Sequence, residues 1–237
     1  MKKNLVGLIA VLFLIVGAAP AMATSIDWTT GGTGNVATLT SGILTISAKT
    51  GLGAGVDPLF AGTAGTAGTV YWGNLGTLDS GKDNWYGLGV QNADGMGSNG
   101  ISGGGKGGDE ALIFAFANPA GVSASSVKLK LVGLNTTGAN DVVSLYLEFA
   151  PVDSPSDFSF KSDTFINFAA SDTYLLDFST LVGITNQTFG SFAVRATGGN
   201  FGVGSIGYTV SEPATMLLLG CGLVGLGGLA RRRVNKK

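Results

Sequence analysis

This chain of 237 residues contains no histidine and a single cysteine, Cys221. Histidine is the commonest general base and the commonest transition-metal ligand, so its lack removes the usual centre of acid–base and zinc chemistry. One cysteine cannot form a disulfide within the chain, so disulfides do not stabilise the fold. Charged residues amount to only 12% of the chain. We therefore expect a protein that is not an enzyme.

Basic residues are also scarce in the long central part of the chain. Between Thr24 and Val210 there are seven Lys or Arg against fourteen Asp or Glu, a net charge of −7. Nucleic-acid binding needs a basic surface, so we expect no nucleic-acid partner. What is abundant is glycine, with 40 residues, but without the period of collagen. The apolar fraction of 45% is too high for a disordered chain.

The first 23 residues have the three parts of a secretory signal peptide. Two lysines precede an apolar run from Leu5 to Val16, and small residues follow up to the A-x-A site formed by Ala21 and Ala23. The alternative is an uncleaved anchor helix, but the apolar run is short for a membrane span. We predict that signal peptidase cleaves after Ala23, which makes Thr24 the mature N-terminus.

Residues 211–237 combine a short polar motif, an apolar run and a basic end. The uncharged run 214–230 is about 25 Å long as a helix, which is just enough to span a bilayer. Five positive charges follow in 231–237 and predict a cytoplasmic end, with the preceding domain outside. The sequence therefore predicts one transmembrane helix before any processing.

This C-terminal segment resembles the PEP-CTERM sorting signal of Gram-negative bacteria. The residues that carry the resemblance are the motif and the arginine cluster: Ser211, Glu212, Pro213, Ala214, Thr215, Arg231, Arg232 and Arg233. Ser211 stands where the motif has its first proline. The resemblance implies recognition by exosortase, a membrane-embedded transpeptidase similar to cysteine proteases, and removal of the tail. It also implies delivery to the cell surface or extracellular matrix, whereas the alternative is a permanent tail anchor.

The middle of the chain, residues 24–210, alternates apolar and polar residues with the period of β-strands. Val127 to Leu131 places both lysines on one face, and Val143 to Phe149 alternates in the same way. Residues 35–48 are typical of a hairpin with its turn at Ser41-Gly42. The pattern predicts about ten strands and an all-β fold, an antiparallel β-sandwich similar to a jelly roll.

Two stretches of low complexity interrupt this pattern and are predicted to be loops. Residues 61–69 repeat Ala-Gly-Thr three times, and residues 91–108 contain eight glycines. The second loop lies between Gly87-Leu88-Gly89-Val90 and Asp109-Glu110, followed by an apolar strand. This arrangement is similar to a pattern common in PEP-CTERM surface domains, which implies a β-sandwich without a defined activity.

The second loop, together with Asp109 and Glu110 directly after it, contains the candidate metal ligands. Calcium prefers six to eight oxygen ligands, and the candidates are Asp94, Asn99, Asp109 and Glu110. Their spacing does not match an EF-hand. The alternative is a solvated loop in which the same residues make turns. Apart from this possible Ca²⁺ site we expect no cofactor.

Aromatic residues are the candidates for contact with sugars. They include Trp28 and the adjacent pairs Tyr71-Trp72 and Trp85-Tyr86, of which Trp72 and Trp85 are the main candidates. The alternative is that one ring of each pair packs in the core. The sequence thus favours a structural or adhesive surface protein of the exopolysaccharide matrix or biofilm, with a carbohydrate-binding module as the alternative. Its expected partners are signal peptidase, exosortase, the inner membrane before processing, and extracellular polysaccharide.

Overall fold

The computed structural model describes thirteen stretches of the chain, most of them strands. They are residues 22–30, 32–53, 59, 65–76, 78, 84–91, 99–103, 109–117, 122–134, 142–149, 160–162, 173–181 and 188–210. Within them, Ala23–Thr209 belong to one compact unit, which we call the β domain.

The described residues form fifteen strands and two short 3₁₀ turns. The turns are Ala124–Ser126 and Phe178–Thr180. The strands are β1 (Met22–Asp27), β2 (Gly34–Val36), β3 (Thr38–Ser41), β4 (Leu44–Leu52), β5 (Thr66–Gly68), β6 (Val70–Gly76), β7 (Trp85–Val90), β8 (Ile101–Gly103), β9 (Asp109–Phe116), β10 (Val122–Ser123), β11 (Lys128–Val132), β12 (Val142–Phe149), β13 (Phe160–Ser162), β14 (Thr173–Asp177) and β15 (Thr188–Val210). The prediction of a fold built almost wholly from β-strands is confirmed.

Strand β15 is the centre of the sheet. The main path through the sheet is β2-β6-β7-β15-β9-β4-β3, and β1, β8, β10, β11 and β12 also pair with β15. Its first half pairs antiparallel with β12 and β9, and its second half pairs antiparallel with β11. A strand of 23 residues can serve both groups because each half has its own neighbours. Sequence alternation predicts two strands here, 188–197 and 201–210, but Gly198 and Gly199 lie within one continuous strand.

A hairpin is present as β3 and β4, but residues 35 and 36 belong to β2 and pair with β6 instead. Ser41 pairs with Leu44, so Gly42 and Ile43 form a two-residue turn, one residue later than the predicted Ser41-Gly42. Gly42 has a φ of +60°, which a residue with a side chain rarely adopts. Glycine at the first central position is what a tight hairpin turn of the II′ type needs.

The core of the β domain is a cluster of aromatic rings. Phe114 on β9 stacks on Phe192 of β15 with ring centroids 4.7 Å apart, and Phe178 meets Phe192 edge-on at 5.2 Å. All three rings are fully buried. The predicted alternation is confirmed along β11, where Leu129 and Leu131 are buried and Lys128 is exposed.

Both stretches predicted as loops contain short strands. Thr66–Gly68, the last part of the Ala-Gly-Thr repeat, is β5 and pairs with β4. Ile101–Gly103 is β8 and pairs with β15. Ile101 is fully buried, and the burial of this apolar side chain stabilises the pairing of the glycine-rich stretch with the sheet.

Candidate functional site

The end of β15 leads directly into the predicted sorting segment. Tyr208 is buried, and its ring meets Phe116 edge-on at a centroid distance of 5.1 Å. The backbone N–H of Thr209 donates to the Ser126 hydroxyl at 2.9 Å, and that hydroxyl lies 3.4 Å from the Thr209 carbonyl oxygen. Burial raises the pKa of Tyr208, while a hydrogen bond with the side chain of Thr24 lowers it in part.

A family model for the PEP-CTERM protein-sorting motif matches residues 209–233. The chain carries a PEP-CTERM sorting motif. The match spans the Glu212-Pro213 pair, the apolar run and the arginine cluster, as the sequence predicted. Such a motif implies export and exosortase-dependent sorting to the surface of a Gram-negative bacterium. No curated protein and no solved structure matches the chain, so any role of the β domain must be argued from its own residues.

Most of the sorting residues lie outside the part of the chain that the structure describes. This holds for Ser211 to Thr215, for Arg231 to Arg233 and for Ala21, while Ala23 is the second residue of β1. The predicted transmembrane helix over 214–230 also lies outside. Among the described residues there is no helix long and apolar enough to cross a membrane.

The four candidate calcium ligands do not come together as one described group. Asp94 lies outside the described residues, and Asn99 precedes β8. Glu110 is buried and accepts a hydrogen bond from the Ser102 N–H at 2.9 Å, and Asp109 pairs with Arg195. In the described stretches no group of three or more acidic or cysteine side chains could hold a metal ion. Calcium binding therefore stays a prediction.

A buried ion pair at the start of β9 was missed by reasoning from the sequence. Arg195 is fully buried, and its Nε donates to Asp109 Oδ2 at 3.2 Å. Its Nη2 donates to Asp109 as well and to the Gly53 carbonyl at 2.6 Å, and its Nη1 lies 3.4 Å from the Tyr146 hydroxyl. In the sequence, Phe192 and Val194 alternate with Arg195, and this local pattern does not indicate that Arg195 is buried.

The strand register explains how this cluster assembles. Arg195 lies directly opposite Ala111 on β9 and Ser144 on β12. Asp109 lies two residues before Ala111, and Tyr146 lies two residues after Ser144, which makes both of them diagonal neighbours of Arg195 on the same face. The signal that could have revealed the pair is that Arg195 is the single arginine between Thr24 and Val210. Arginine is the residue best suited to buried ion pairs, because its fork supplies several donors.

The two candidate tryptophans lie on opposite faces of the β6–β7 hairpin. Trp85 packs, together with Tyr71, against the buried cluster of Leu75, Leu78 and Val132. Trp72 pairs with Gly34 of β2, and its ring covers that glycine so closely that a Cβ there would lie 2.2 Å from the ring. The expectation that one ring of an adjacent pair faces the core is therefore met by Tyr71 and Trp85.

Trp72 shares its face of the hairpin with Asn74, Tyr86 and Leu88, of which Leu88 lies directly opposite Trp72 and is fully buried. Asn74 lies directly opposite Tyr86, and Trp72 is two residues before Asn74 on the same strand. Tyr86 is 39% exposed. The Asn74 amide donates to the Asn84 side-chain oxygen at 2.9 Å, and Asn84 is exposed with a φ of +69°. An exposed ring beside side-chain amides offers both a stacking surface and hydrogen-bonding groups.

Proposed function

We propose that this protein is a structural or adhesive component of the extracellular polysaccharide matrix, built as a β-sandwich and carried to the cell surface by exosortase. The observation that supports the proposal is the position of the sorting motif. It begins at residue 209, where the last strand of an all-β unit ends. The sequence also lacks histidine, which supports a role that does not depend on catalysis.

Two features support a sandwich for the β domain. The two halves of β15 pair with different groups of strands. Phe178, which follows β14, meets Phe192 in the first half of β15, so side chains from the two groups interdigitate.

The proposed matrix role is tested by removing the protein from its own host. A strain that lacks the chain should form a matrix that is weaker under shear, while the amount of secreted polysaccharide stays unchanged. Expression of the full chain should restore the matrix, and expression of a form ending at Val210 should not. A matrix of normal strength without the chain would contradict the proposal.

The second candidate function is carbohydrate binding by the Trp72–Tyr86 face, defined as Trp72, Asn74, Asn84 and Tyr86. Aromatic rings stack on the apolar faces of sugars, and amides bind their hydroxyl groups. The net charge of −7 in residues 24–210 favours a neutral or cationic polymer over an acidic one. This candidate differs from the first because it requires saturable binding to one type of sugar.

Single substitutions distinguish the two candidates. We expect Tyr86→Ala to weaken co-sedimentation of the surface-released protein with its own polysaccharide at least about fivefold, because stacking on an aromatic ring contributes on the order of 1 kcal/mol or more. Tyr174→Ala is the matched control, since Tyr174 is a tyrosine of similar exposure, 37%, on β14. Equal binding by both variants would remove the carbohydrate-binding candidate and leave the structural role.

A further inference from the structure

The sorting motif begins without a spacer after residues that the fold holds in place. The match starts at residue 209, and Glu212 is only two residues beyond the end of β15 at Val210. Tyr208 is 3% exposed against Phe116. The Thr209 N–H donates to the Ser126 hydroxyl at 2.9 Å, and that hydroxyl donates in turn to the Ser123 carbonyl at 2.7 Å. The segment just before the motif is therefore part of the folded edge.

Strand β1 holds the same edge from the other side. It pairs with β15, and the Trp28 N–H donates to the Gly204 carbonyl at 2.9 Å. Four residues before Trp28, the side chain of Thr24 forms a hydrogen bond with Tyr208. Residue 28 contacts residue 204, and residue 24 contacts residue 208, which is the pattern of two antiparallel strands. Strand β1 therefore lies beside β15 as far as the last residues of β15.

Proteases and transpeptidases bind an extended backbone over several residues on each side of the bond that they cleave. Residues already paired in a sheet cannot enter such a cleft until they detach. Cleavage of a folded protein near a structured segment then depends on the population of the locally opened state. Here the hydrogen bond between Ser126 and Thr209 and the burial of Tyr208 stabilise the closed state and so lower the population of the opened state.

We propose that the folded edge formed by Ser126, Tyr208 and β1 slows exosortase processing, so that tail removal requires detachment of the last residues of β15. The inference rests on the proposed sorting by exosortase. Ser126 and Tyr208 are then positioning residues, which hold the end of β15 in the β domain and so affect a reaction that takes place outside it. A newly exported chain whose β15 has not yet docked is then processed faster than a chain that has finished folding.

A spacer tests this directly without changing the fold or the motif. Gly-Ser-Gly-Ser inserted between Val210 and Ser211 in the full chain should increase the rate of tail loss in a pulse–chase at least about tenfold, because the enzyme no longer competes with β15. Ser126→Ala should increase the rate several-fold. Ser125→Ala is the matched control, because the Ser125 hydroxyl bonds to the Ser123 hydroxyl in the same turn. Tail loss in this variant should be as fast as in wild type.

The outcomes separate this inference from the proposed function. Tail loss at the same rate in wild type and in the spacer variant overturns the inference, while sorting by exosortase stands. If neither protein loses its tail, sorting by exosortase fails, and the inference fails with it. If the Ser126→Ala protein does not fold, the spacer variant still tests the inference, because it leaves the residues of the β domain unchanged.

Discussion

The Glu212→Ala, Pro213→Ala double variant should be exported and inserted into the membrane but should keep its C-terminal tail. Insertion depends on the apolar run 214–230 and the basic residues after it, which the variant leaves intact. Proline fixes its own φ and disfavours a helical conformation at the residue before it, so we expect the sorting enzyme to bind Glu212-Pro213 in an extended form. Loss of both residues should abolish recognition while the apolar run still holds the protein in the membrane.

A blot of cell fractions measures this result. Wild type should become about 25 residues shorter, because that is the length of chain from the Glu-Pro pair to Lys237, and it should leave the membrane fraction. The variant should keep its full length and stay with the membrane. Asn235→Ala, a change in the tail outside the matched segment 209–233, is the control and should be processed like wild type. If wild type itself retains Lys237, the tail is a permanent anchor. Partial processing of wild type would indicate that Ser211, at the position of the motif's first proline, weakens recognition.

Arg195→Met should lower the free energy of unfolding of the β domain by about 3–5 kcal/mol, because it leaves Asp109 without its cation in a place where that side chain is only 13% exposed. The substitution also removes the donors to the Gly53 carbonyl and the Tyr146 hydroxyl. For a domain of this size the melting temperature should fall by on the order of 10 °C.

A second ion pair of the same domain is the matched control. Lys128 lies 3.1 Å from Asp177, but the two side chains are 54% and 26% exposed. Surface pairs of this kind contribute about 0–1 kcal/mol, so Lys128→Met should change stability little. Denaturant unfolding of the surface-released protein and its variants measures both effects. Equal losses for the two substitutions would show that Arg195 and Asp109 act as an ordinary surface pair.

The contrast between these two pairs shows what alternation in a sequence can predict. Lys128 and Lys130 were predicted to face outward, and Lys128 does so because it lies in a strand whose other face packs on the core. Arg195 follows the same pattern of alternation but lies in residues 191–196 of β15, where every residue on both faces is buried. Whether the second face of a strand is covered depends on distant parts of the chain, so local periodicity cannot report it.

The strands that sequence reasoning missed have a related physical cause. β5 and β8 are three residues each and contain mainly small side chains. Such segments have little β-propensity of their own and take strand geometry from the longer strands beside them, β4 and β15. The longer strands β7, β9 and β12 were predicted within one or two residues, because their apolar residues repeat at the strand period.

The sorting segment was predictable for the opposite reason. Its recognition depends on a short motif, an apolar run and a basic end in fixed order, and each is a local property of the sequence. The candidate sugar-binding face depends on register instead. Only the pairing of β6 with β7 brings Trp72, Asn74 and Tyr86 to one face and sends Trp85 to the core.

The most direct test of the whole account is the intact mass of wild-type protein recovered from the surface of its own host. Export and sorting predict a chain that begins at Thr24, since we expect signal peptidase to cleave after Ala23. They also predict that this chain has lost the apolar run and the arginine cluster at its C-terminal end. A single mass that corresponds to such a chain supports both the removal of the signal peptide and the removal of the C-terminal tail. A surface protein that still contains Met1 or Lys237 would contradict the account.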